Sequence, residues 1–328
     1  MSDAPTAMKT IPHLHKFGAA MLALGLLPSL GFAAKIGVVP SGPESNPFWG
    51  SYCQGVRQAA AQSKVEAIVK CPPIDFSAAY QTKLIAAVAE QGIEAIIVAP
   101  VVLQNTVDAN VHKALAAVAA KGVKIVVVGL APLSGFENTG VAIDQQVIAT
   151  AGIEKLVATV GENEEVGFFR TYSPDGLNPR EKLAIQSLRA RSPKIVIHSD
   201  VFMNDEDKSG LAQAKLLFTK HPKIATVFTS MTVSTVAMVD ALKEIGLAGK
   251  VKHVGFGMQL TPTITAALEA GALTVFISQD PHALGVKAVE TAVELCKGAK
   301  PPAMINVAFD IVTKDNVAAL KAKLAERK

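Results

Sequence analysis

The chain has 328 residues, half of them hydrophobic and 18% charged, with a formal net charge of +4. An apolar fraction of that size buries a large core, which excludes a disordered chain, and the length predicts two domains. The basic residues form no run of five or six, so no nucleic-acid footprint is present, and three cysteines exclude both a disulfide-dense scaffold and a multi-cysteine zinc fold.

The first element in chain order is an apolar stretch. Eighteen uncharged residues, Phe17 to Ala34, lie between Lys16 and Lys35 and follow Lys9, His13 and His15. Eighteen reaches the lower limit for a membrane-spanning helix. Here, however, Gly25, Pro28, Ser29 and Gly31 crowd the end, and small residues at Gly31 and Ala33 make a signal-peptidase site before Ala34. Residues 1–33 are read as a secretory signal peptide, with a retained anchor as the alternative. Export makes a cysteine pair permissible.

Beyond Lys35, short β-branched runs alternate with Ala-rich segments of helical period. The runs are Ile36 to Val39, Val65 to Val69, Ala95 to Ala99 and Lys124 to Val128, then Val166 to Phe169, Ile195 to His198, Thr226 to Thr229, Val251 to Phe256 and Leu273 to Ser278. Continuous apolar runs are expected of parallel strands buried on both faces. Two series of βα units predict two doubly wound parallel-sheet lobes. Thr139 to Asp144 reads as a connecting strand and Met304 to Phe309 as a final one. Short crossings of this kind make a hinge, and the carboxyl ends of the strands place any ligand in an interlobe cleft.

Catalytic patterns are lacking. The sequence holds no Gly-x-Ser-x-Gly elbow, P-loop or His-Glu-x-x-His, and Gly255-Phe256-Gly257 lacks the third glycine of a dinucleotide fingerprint. No enzyme and no cofactor is expected. His112, His198, His221, His253 and His282 have no metal-ligand spacing and read as helix-end or surface residues, His282 being of interest beside Gln279 and Asp280. Asn204 to Lys208 reads as a solvated helix start, with Asp205 a candidate contributor to the cleft. Cys53, early in the first helix, and Cys71, directly after the second strand, fall at the carboxyl edge of neighbouring units. A Cys53–Cys71 disulfide is expected there, with Cys296 free; two thiols that never meet is the alternative.

Ser41-Gly42-Pro43-Glu44-Ser45-Asn46-Pro47-Phe48-Trp49 follows the first strand. It resembles the Asn-Pro-Phe-aromatic turn of the periplasmic sugar-binding proteins of the ribose and galactose type. Ala95 to Pro100, Thr226 to Thr229, His253 to Phe256 and Gln279-Asp280-Pro281 with Gly285 fall in that family's order. The resemblance implies a periplasmic solute-binding component of an importer, acting as a monomer on a membrane permease. The alternative is a ligand presenter for a sensor kinase or chemoreceptor. It places residues 34–143 with 280–308 in one lobe and 144–279 with 309–328 in the other. Asn46 supplies polar atoms to the solute, and Phe48 and Trp49 supply flat apolar faces; on the residues alone, Asn46 as a helix cap over core aromatics is the favoured reading, and the position after the first strand reverses it.

Departures from the family pattern bear on the ligand. Gly129 and Leu130 stand where an Asp-Arg pair is usual, Met231-Thr232 where Asn-Asp is usual, Gly257 and Met258 where an Asp is usual, and Ala99 before Pro100 where a polar residue is usual. The arginine after Phe169 corresponds to Arg180 or, in strict register, Lys182. Unsatisfied hydroxyls cost roughly 1 to 3 kcal/mol each, so the expected solute carries few. The expected contacts are Asn46, Arg180 or Lys182, Thr232 and Gln279, set against Phe48, Trp49, Met231 and Phe256. Pro174-Asp175-Gly176 and Thr229 to Thr232 are closer to the branch that presents trimethylamine N-oxide to a sensor kinase, where a small aromatic cage holds the cationic head.

Overall fold

The computed structural model describes residues 34–103, 106–171, 179–203, 209–258 and 260–326. The signal peptide read at 1–33, the tripeptide at 174–176 and the charged run at 204–208 lie outside the described residues.

The described chain begins with β1 (Lys35–Val39), α1 (Pro47–Ser63), β2 (Glu66–Val69), α2 (Ala78–Ala89), β3 (Ala95–Val98), β4 (Val102–Leu103), β5 (Thr106–Val107), α3 (Ala109–Ala119), β6 (Lys124–Val128) and β7 (Thr139–Ala142). It continues with α4 (Gln145–Thr159), β8 (Glu165–Phe169), α5 (Pro179–Arg191), β9 (Val196–His198), α6 (Leu211–Lys220), β10 (Ile224–Thr229), α7 (Thr232–Glu244), β11 (Lys252–Gly257), α8 (Pro262–Glu269) and β12 (Val275–Ser278). The last elements are α9 (Pro281–Cys296), β13 (Met304–Asn306), β14 (Asp310–Val312) and α10 (Val317–Ala325).

The strands form two six-stranded sheets, ordered β13-β7-β6-β3-β1-β2 in the first lobe and β14-β12-β11-β10-β8-β9 in the second. The first sheet is parallel throughout, and the second is parallel except for its β12–β14 edge. This is the doubly wound α/β architecture that the β-branched runs predict. β3 is buried at all four positions and β6 at four of five, because helices cover both faces.

Two details differ from the sequence reading. Met304 to Phe309 is not one strand: Met304–Asn306 pairs with β7, and Asp310–Val312 runs antiparallel to β12. Between them Val307 crosses from one lobe to the other, packing against the core of each. A short β4–β5 hairpin follows β3; strands of two residues carry no readable period. Among the described residues no helix is long and apolar enough to cross a membrane.

Close backbone packing fixes the first lobe. At Gly55 of α1 a Cβ would run into the carbonyl oxygen of His282, and at Gly285 of α9 into that of Tyr52. The two glycines therefore let α1 and α9 approach backbone to backbone, which positions the loop leading into α1. Gln81, fully buried, donates to the carbonyls of Pro40 (3.1 Å) and Ala99 (2.7 Å) and accepts from Val101 N–H (2.8 Å). One side chain thus ties together the carboxyl ends of β1 and β3.

Candidate functional site

At the carboxyl edge of the first lobe, the β1–α1 loop is built by local chemistry. Asn46 is the N-cap of α1, accepting from Phe48 N–H at 2.9 Å, and Pro47 takes the first helical position. Asn46 Nδ2 also donates to both carboxylate oxygens of Asp75, at 3.2 Å each. A Cβ at Gly42 would meet Asp75 and the Trp49 indole, so only glycine lets the two loops close on each other. Because α1 begins at Pro47, Phe48 and Trp49 lie within its first turn and Cys53 in its second. Trp49 is 8% exposed and stacks edge-to-face on Phe48 (centroids 4.8 Å) and Tyr52 (5.7 Å), within the core of the first lobe. Phe48 is half-buried.

The β2–α2 loop adds residues that the sequence reading passed over. Phe76 adopts φ +54°, a left-handed conformation unusual for a non-glycine, while its N–H donates to Ser41 C=O at 2.7 Å. Its ring is 62% exposed, with Ile74 and Tyr80 also exposed nearby in sequence. The Cys-Pro-Pro punctuation at 71–73 was the available signal for a shaped loop.

In the second lobe Arg180, in the first turn of α5, donates to Ser230 C=O and to Gln145 Oε1, both at 2.9 Å. Its guanidinium lies 5.0 Å above the Phe256 ring. Phe256 is fully buried, against Phe228 and the bare Cα face of Gly152, and so forms the platform beneath Arg180. Lys182, two positions along α5, is on its exposed face. The buried Glu181 accepts from Ser230 Oγ at 2.8 Å and lies 3.8 Å from Arg170. Gln145 and Ser230 escape a sequence reading because their partnership with Arg180 spans 35 and 50 residues.

Met231 caps α7 through its backbone, its N–H donating to Ser234 Oγ at 3.3 Å, and Thr232 Oγ1 accepts from Met258 N–H at 3.0 Å. Gln279 is half-buried at the crossing, with its N–H on Gly257 C=O at 2.9 Å. Gln279 and Met258 line a cavity of about 790 Å³ between the lobes, together with Ser51 and Gln54 of α1, Asp280 and His282. Arg180, Asn46 and Trp49 do not line it. Of the departures named above, Ala99 is buried and Leu130 packs into the first lobe's core, whereas Gly129 is exposed with φ +83°.

His253 is a correction to the sequence reading. It is fully buried in β11 rather than at a surface, with Nε2 2.9 Å from Thr229 Oγ1 and Nδ1 without a hydrogen-bond partner. Burial pushes its pKa down to about 3.

All three cysteines are free, and Cys53 Sγ and Cys71 Sγ stand 3.7 Å apart. With a Glu44 carboxylate oxygen they form the one group of three metal-ligating atoms found among the described residues, all within 4.8 Å of one another. Glu44 is already held by a two-point ion pair with Arg57, whose second bond is 2.8 Å, and that pair lowers its pKa.

Two doubly wound lobes, three short crossings and polar groups gathered at both carboxyl edges define a two-lobed binding protein. The chain belongs to the periplasmic binding protein domain family, whose model matches residues 36–300. The family is one of solute-binding proteins, not enzymes. Over 105 residues, 32% of this chain and 34% of the relative, it is 33% identical to the ribose import binding protein of Escherichia coli. The chain thus matches about a third of the length of that curated relative. A periplasmic ribose ABC transporter protein from Conexibacter woesei superposes with TM-score 0.72 at 17% identity, covering 90% of this chain and 98% of that one. A solute-binding protein from Actinobacillus succinogenes with bound D-allose gives 0.71 at 20%, covering 87% and 99%. At these identities the structural likeness speaks for the fold.

Proposed function

We propose that the chain is the periplasmic solute-binding component of an importer. It is exported through residues 1–33, closes its lobes on a small solute and delivers that solute to a membrane permease. The observation that carries this reading is Arg180, braced by Ser230 and Gln145 over Phe256 at the carboxyl edge of the second lobe, the edge at which open α/β sheets bind ligands. A pre-oriented guanidinium suits a carbonyl, carboxylate or hydroxyl oxygen. One similar protein is named for ribose import, and another holds bound D-allose. In this chain Gly129, Met231 and Met258 replace polar side chains at the family's ligand positions, which favours a less hydroxylated solute. Asn46, Thr232 and Gln279 are its further polar contacts, with Phe48, Trp49 and Met231 as apolar walls.

Thermal-shift screening against pentoses, hexoses, short polyols, small carboxylic acids and amines tests this. A true solute at about a hundredfold excess over Kd adds about 2.7 kcal/mol. Arg180→Ala should weaken it about tenfold or more. Unchanged affinity in that variant removes Arg180 from the site, and strong stabilisation by an aldohexose overturns the low-hydroxyl reading.

A further inference from the structure

The thiol pair of the first lobe lies outside the solute-binding reading, since nothing about it depends on what the cleft holds. Cys53 is fully buried in α1, and Cys71 is half-buried two residues after β2 ends. The strands that carry them into position, β1 and β2, are paired neighbours, and Lys70 N–H, bonded to Val38 C=O at 2.9 Å, anchors the backbone beside Cys71. Their sulfurs stand 3.7 Å apart, so a closure of less than about 2 Å brings them to the S–S bond length of about 2.05 Å. Cys296, at the end of α9, is the third thiol and takes no part in the group.

The surroundings assign unlike roles to the two sulfurs. Cys53 is buried and Cys71 half-buried, so an external disulfide reaches Cys71 first, and the contact between the two sulfurs holds the Cys53 thiol up and the Cys71 thiol down in pKa. The neighbouring ion pair is divided, Glu44 opposing the Cys71 thiolate and Arg57 favouring it, which leaves the Cys53 contact as the main influence. Glu44 is committed to Arg57, which leaves the sulfurs to each other rather than to a metal.

We propose that Cys53 and Cys71 are a dithiol site that closes, by exchange with an external disulfide, into a staple between α1 and the β2–α2 loop. In the first step the Cys71 thiolate attacks one sulfur of the external disulfide, whose S–S bond breaks and releases one thiolate. Cys53 then gives up its proton and attacks Cys71 Sγ, releasing the second thiolate; two electrons pass to the external disulfide, which leaves as two thiols. The closed staple ties down the base of the loop whose Asp75 and Phe76 hold Asn46 and Ser41.

Oxidised glutathione on the reduced full-length chain is the test. The wild type should lose two of its three thiols and the mass of two hydrogens, with the Cys53 and Cys71 peptides joined until reduction. Its Tm should rise on the order of 5 °C. Cys53→Ser should stop at a glutathione adduct on Cys71. Cys71→Ser, at the more exposed position, should form neither disulfide nor adduct, which keeps the roles testable if the buried variant fails to fold. Retention of all three wild-type thiols, or joining of either to Cys296, overturns the proposal; zinc held by the reduced pair would then assign the group, with Glu44, to a metal.

Discussion

At the carboxyl edge of the first lobe the polar side chains serve the backbone. Asn46 caps α1 and bonds Asp75, and Gln81 holds three main-chain groups of the strand ends. At the same edge of the second lobe side chains brace one another: Phe256 on Gly152, Arg180 on Phe256 and Gln145, Ser230 on Glu181. The first lobe is therefore a fixed wall of backbone and aromatic rings, and the second carries an oriented charge. In the proposed function the wall sets shape and the braced arginine sets polarity.

The comparison breaks most sharply at glycine. Gly55→Ala drives a methyl group into the His282 carbonyl, a backbone atom that moves only if α1 and α9 separate, so about 3 kcal/mol of stability should be lost. Gly152→Ala meets the Phe256 ring, a side chain that can tilt, and should cost about 1 to 2 kcal/mol while loosening Arg180. Urea midpoints of the two variants measure this. A larger loss for Gly152→Ala would reverse the assignment of rigidity.

The second lobe also carries a buried group that makes it sensitive to acid. His253 has a native pKa of about 3 against 6.5 in the unfolded chain, so the unfolded state binds the extra proton between those values. Stability from this group is therefore full above pH 6.5 and is lost as pH falls from 6.5 toward 3. Between about pH 7.5 and about pH 5 the loss amounts to about 2 kcal/mol. Above the carboxylate range, His253→Gln should flatten the pH dependence of the unfolding free energy. An unchanged slope would show that His253 takes up its proton without unfolding.

What was legible in the sequence follows from what each signal measures. β-branched runs report burial on both faces, so the strands and both lobes were readable from them. They do not report partnership: Val307 and its neighbours are apolar because they cross between two cores, which imitates one strand. At the site, helical register decides between Arg180 and Lys182, and it needs the start of α5 at Pro179. Asp75 was silent because its partner is 29 residues away and its loop has no period. His253 was misread because lone polar residues in a β run usually face solvent, whereas here Thr229 lies within reach to satisfy one nitrogen.

The smallest effect separates structure from binding at Asn46. If its role is to cap α1 and hold Asp75, Asn46→Ala should cost about 1 kcal/mol without any solute present, since Phe48 N–H loses its acceptor. Asn46→Ser keeps a capping oxygen on a shorter side chain, so it should recover most of that loss while failing to reach Asp75. Asp75→Ala should then be nearly neutral in the Ser background but not in the wild type, a coupling that a double-mutant cycle reads directly. Solute affinity measured on the same variants completes the comparison: a fall in the Ser variant, whose helix is capped, would belong to the Asn46 side chain at the cleft. Equal stability of all variants would mean that the cap and the Asp75 bond contribute nothing to the wall, and that Asn46 serves the solute alone.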